Sequence, residues 1–124
     1  MGLIASRTAT AQRENMDMIE AQVTQRRARD QGVPALRRLV KIAQGHSGQC
    51  RYVAMFLLGL YNGPRFPFDL TVLRALDTSI FEDCMLVLHM DSCPAQEVHC
   101  YIEDGSRVFE ALARDWGIES KHGY

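Results

Sequence analysis

The first 51 residues contain no Phe, Tyr or Trp, and residues 33–61 contain no acid. Aromatics make up 8% of the 124-residue chain. A nucleic-acid surface that stacks bases needs aromatic rings among its cations, and the basic part of this chain has none. No run of about 20 apolar residues is present, which excludes a membrane-spanning helix. Neither a P-loop nor a dinucleotide fingerprint occurs, so the usual glycine-rich phosphate cradles are absent. No secretory signal opens the chain, because the apolar run Gly2 to Ile4 is too short. The opening MGLIAS matches the myristoylation pattern formally, but nothing else is membrane-directed. With no signal, the four cysteines (Cys50, Cys84, Cys93, Cys100) point to a reducing, cytoplasmic setting rather than to two disulfides.

What remains is ordinary for a globular chain, with 47% hydrophobic and 23% charged residues. The net charge of −1 hides a strong asymmetry. Residues 1–32 carry five arginines against four acids, residues 33–61 four bases and no acid, and residues 62–124 five bases against eleven acids. Such a distribution suggests a basic side and an acidic side unless folding interleaves them.

The most apolar stretch is Ser47 to Tyr61, SGQCRYVAMFLLGLY, hydrophobic over most of a helical circumference and therefore expected to sit centrally. Ser47 suits its N-cap and Asn62-Gly63-Pro64 its end. Before it, residues from about Thr10 to Asp30 predict a helix with a thin apolar seam of Met16, Ile19 and Val23. Gln31-Gly32 is expected to break this arm, and Pro34 to open a second helix that buries Leu36, Leu39, Val40 and Ala43. After it, Pro64 to Phe68 should be extended, with Phe66 and Phe68 as anchors. Asp69 predicts a cap for a short helix with Leu70, Leu73 and Leu76 inward. Ser79 and Glu82 form a capping box opening a helix that buries Phe81, Cys84, Met85 and Leu88. Val98, Cys100 and Ile102 alternate like a short strand, and Arg107 to Trp116 predicts a last helix stopped by Gly117. The expected fold is mainly α: a compact bundle of about five or six short helices, with one short β segment near 97–102. Residues 1–31 form an N-terminal helical arm and 32–124 a single globular helical domain.

Motifs with chemical content are few. Gly45-His46-Ser47-Gly48-Gln49 lacks the last glycine and the preceding strand of a hydrolase elbow, so Ser47 is better read as a cap. His89, Cys93, His99 and Cys100 are metal-ligand types within twelve residues, but the adjacent His99 and Cys100 would point apart on an extended segment. No metal and no cofactor are therefore expected. No convergent set of catalytic residues can be read, so no enzyme is expected. The candidate binding residues are the basic run Arg26, Arg27, Arg29, Arg37, Arg38, Lys41 and Arg51, suited to an acidic protein surface or, as the second reading, to phosphates.

The stretches AQGHSGQ (43–49), FLLGLYNG (56–63), FDLTVLRALD (68–77), EVHCY (97–101) and LARDWG (112–117) carry a resemblance. From about Leu36 to Trp116 the chain resembles an uncharacterised family of small proteins from proteobacterial mobile elements and phage-derived islands. The resemblance supplies no catalytic residues. It implies a bacterial, intracellular accessory protein, of the kind that occludes a host complex as anti-CRISPR-type inhibitors do. The expectation is thus a non-catalytic binding protein that masks a larger protein or ribonucleoprotein, with no membrane partner. The alternative is a nucleic-acid-binding accessory factor using residues 26–51. The N-terminal arm, poor in apolar residues, could also pair with a second copy.

Overall fold

A computed structural model describes residues 2–121, with side chains from residue 9 onward; the side chains of the MGLIAS opening lie outside the described residues. The chain forms four α-helices, α1 (Gly2–Ala43), α2 (Gly48–Tyr61), α3 (Thr78–Ser92) and α4 (Gly105–Trp116). Two 3₁₀ turns, Leu70–Ala75 and Val98–Tyr101, lie on either side of α3. Among the described residues there is no strand, and the mainly α expectation stands.

The largest departure from the sequence reading is α1. It runs unbroken for 42 residues through Gln31-Gly32 and carries Pro34 inside it. Ala, Gln, Arg and Glu dominate its first half, all strong helix formers. Its second half is held from the side by packing. Ala35, Leu36, Leu39 and Ala43 are fully buried, and Gly32 lies against the Met90 side chain of α3. Gly32, expected to break the helix, is instead a point of close approach to α3. A Cβ there would stand 2.7 Å from that of Met90. Pro34 and Asp30 are both exposed, so water can serve the Asp30 carbonyl that Pro34 cannot.

α1 packs on α3 on one side and on α2 on another, and α2 in turn packs on α4. The shared core contains Leu36, Leu39, Val53, Leu57, Leu58, Val87, Met90, Val98 and Phe109, all at most 1% exposed. Each large aliphatic or aromatic side chain so buried stabilises the fold by roughly 1.5–3 kcal/mol before the entropic cost of ordering it. Cys84 belongs to this core, and burial pushes its thiol up to about 12, so it acts as a small apolar group.

Local chemistry accounts for most helix ends. The Ser47 hydroxyl accepts from the Cys50 amide, Asp69 accepts from the Thr71 amide, and Gly117 closes α4 at φ 63°. The Ser79–Glu82 capping box does not form. α3 begins earlier, at Thr78, and Asp77 before it exchanges two hydrogen bonds with the Gln49 side chain (2.7 and 2.9 Å). Gly63 to Arg65 make a turn rather than an extended linker, with Phe66 buried behind it. The expected strand near 97–102 is the second 3₁₀ turn. Its coil brings the His99 carbonyl against Gly105, where an added Cβ would collide with the oxygen. Two residues expected inside are outside: Leu70 is 72% exposed and Phe81 37%.

Candidate functional site

The basic run divides into two groups that the linear sequence does not separate. Arg38 donates twice to Asp83 (2.9 and 2.8 Å) and ties α1 to α3. Arg51 donates to the Trp116 carbonyl (2.7 Å), serving an end of α4 that would otherwise lack a donor. The Trp116 indole in turn donates to the Ala43 carbonyl at the end of α1 (2.7 Å). These two arginines are fold contacts first.

Arg26, Arg27, Arg37 and Lys41 are exposed, and Arg29 is half-buried beside the bundle. At 3.6 residues per turn, the four exposed cations fall within about 100° of arc, on the side of α1 opposite Ala28, Ala35, Leu39 and Ala43. None of the ion pairs among the described residues engages them. Asp30 and Pro34 share their arc. The seam of Met16, Ile19 and Val23 falls on it as well, 61%, 58% and 44% exposed. The seam is therefore no continuation of the core stripe. It faces outward, in line with the basic row.

A second cluster, missed by the sequence reading, lies where α2 meets α4. Arg65 forks onto Glu110 (2.7 and 3.0 Å), whose carboxylate also accepts from the Tyr61 hydroxyl (2.6 Å). The Arg65 guanidinium, and after it the Tyr61 hydroxyl, hold Glu110 down at about 2. Arg65 also donates to Ser120 and lies over the Phe66 ring. With its charges mutually satisfied, this cluster is a clamp for the C-terminal segment, not an acid–base pair.

The ligand-type residues spread out. His89 and Cys93 are exposed near the end of α3, and the Cys93 carbonyl accepts from Gln25 of α1 (3.1 Å). His99 sits edge-on between Tyr61 and Phe109, while the exposed Cys100 thiol lies 3.6 Å from the ring of its own neighbour. Among the described residues no group of three or more His, Cys, Asp or Glu side chains converges as a metal site. Ser47 contacts the Cys50 thiol and amide, as a cap does. No helix among the described residues is long and apolar enough to cross a membrane.

Residues 33–117 match DUF7673, a family of unknown function. The chain belongs to that family. The DUF7673 match begins one residue before Pro34 and stops at the glycine that ends α4, so it takes in the whole of α2, α3 and α4 but only the last part of α1. Met16, Ile19, Val23 and Arg26 lie outside it, and Arg37 and Lys41 within. No curated protein and no solved structure matches the chain.

Proposed function

We propose that this DUF7673 protein is a non-catalytic binding module that masks an acidic surface on a larger protein or ribonucleoprotein. The observation that carries the reading is the outward face of α1, where Arg26, Arg27, Arg37 and Lys41 stand exposed and outside the ion pairs of the fold. Charges so placed steer a partner of opposite sign and reject one of like sign. The setting that fits is a bacterial cytoplasm and an accessory protein of a mobile element, acting as an inhibitor of a host defence complex of the anti-CRISPR type.

Binding to nucleic acid is the second reading, since the same row could follow phosphates. The absence of aromatic side chains along α1 weighs against it. Affinity capture from the native host, with and without nuclease, separates the two when run beside Arg37→Glu/Lys41→Glu. A partner that survives nuclease and is lost with the charge reversal supports masking. Duplex binding with a log–log salt slope of roughly −3 to −4, as four phosphate contacts require, would put the nucleic-acid reading first.

A further inference from the structure

The face of the bundle formed by α2, α3 and the first 3₁₀ turn is apolar and open. A cavity of about 170 Å³ is lined there by Phe56, Gly59, Leu60, Phe68, Leu70 and Leu88, without one polar side chain. A groove of that volume and lining has room for one group of roughly benzene size, which suits a single Ile, Leu or Met side chain. It is not an isolated dimple. Phe81, Met85 and Leu88 follow one another at i, i+4 and i+7 on one face of α3; Phe81 is exposed, Met85 and Leu88 are half-buried, and Leu88 lines the cavity. The carboxylates near this strip, Asp69 between Phe68 and Leu70 and Glu82 beside Phe81, are exposed.

The seam on α1 has the complementary properties. Met16, Ile19 and Val23 recur at i, i+3 and i+7, the anchor spacing of a helix that lies in a groove. Both seam and strip span seven residues, about 10 Å of helix. Arg13 and Arg26 stand near the two ends of the seam, but Glu14, Asp17 and Glu20 lie between them, so the match rests on the apolar anchors and their spacing rather than on charge. The seam cannot reach the groove of its own chain. It faces away from the bundle on a helix that runs unbroken into the core. We propose that the α1 arm of one copy docks in the apolar groove of a second copy, Ile19 entering the cavity and Met16 and Val23 lying along the α3 strip. This contact is independent of the basic residues Arg37 and Lys41.

Sedimentation equilibrium of the full chain tests it, with Ile19→Asp removing the seam and Leu70→Asp charging the groove. Both residues are exposed in the single chain, at 58% and 72%, so neither change opens the core, and far-ultraviolet circular dichroism verifies the fold. The wild type should self-associate, and each variant should do so roughly 30-fold more weakly or worse, the loss typical of a central anchor. An equimolar mixture of the two variants keeps one intact seam and one intact groove, so it should regain association that neither has alone. A wild type that stays monomeric overturns the proposal. So does a Leu70→Asp variant that associates like the wild type, which would mean that arms pair with arms or that another face is used. A mixture no better than its components overturns it too.

Discussion

Pro34→Ala should stabilise this protein, and the size of the gain tests the continuity of α1. In a helix interior, proline lacks the N–H that would meet the carbonyl four residues back, here that of Asp30, and its ring crowds that carbonyl. Relative to alanine this costs about 3 kcal/mol. The Pro34 ring is exposed, so its removal leaves no cavity to offset the gain. Alanine does loosen the unfolded chain, which gives back about 0.4–1 kcal/mol. The net is a stabilisation of about 2 kcal/mol. For a chain of 124 residues, between the size classes for which shifts are tabulated, this corresponds to a rise in Tm of about 8 °C. Urea unfolding should show a higher midpoint with an unchanged slope. Had a helix started at Pro34, the missing N–H would serve no bond, and alanine would be neutral or mildly destabilising. A neutral or negative result would therefore refute the single long helix and restore a break at Gln31-Gly32.

Two further outcomes follow from close contacts. Gly105→Ala should destabilise by about 3 kcal/mol, since the clash is with the His99 backbone and no side chain can move aside; Gly48→Ala, with nothing within 4 Å, should be neutral or gain up to about 1 kcal/mol in the same thermal assay. Glu110, held at about 2 against an ordinary 4.5, contributes stability that is complete above about pH 4.5 and is lost as pH falls towards 2. Because its side chain is 42% exposed, solvent screening reduces the effect to about 1–2 kcal/mol, and acid titration of Glu110→Gln should lack that part of the loss.

The caps at Ser47, Asp69 and Gly117 were legible because each is a contract between residues two or three apart. The core stripe of α2 was legible for the same reason of period. Pro34 and Gly32 misled because punctuation is local, while the packing of Ala35, Leu36 and Leu39 on one side of them and the Gln25–Cys93 contact on the other are not. The alternation of Val98, Cys100 and Ile102 misled, because in the 3₁₀ turn Val98 is buried while Cys100 is exposed and His99 packs between Tyr61 and Phe109. Phe81 and Leu70 lie on faces that a periodic reading assigns to the core, and only the neighbours that fail to cover them show otherwise. In the basic run, nothing in the linear sequence distinguishes Arg37 from Arg38. Their difference lies in Asp83, 45 residues further on. The Glu110 clamp was invisible on the same ground, its partners being drawn from 45 and 49 residues away.

Forty-two residues of unbroken helix measure about 63 Å, whereas a compact chain of this length has a radius of gyration of only about 14 Å. Friction in solution follows the longest dimension. A 14.0 kDa monomer with such a rod should leave a gel-filtration column early, at the position of a globular protein of greater mass. Its tumbling should be anisotropic, slower end over end than about the axis of α1. Elution volume alone would therefore report a dimer whether or not one had formed.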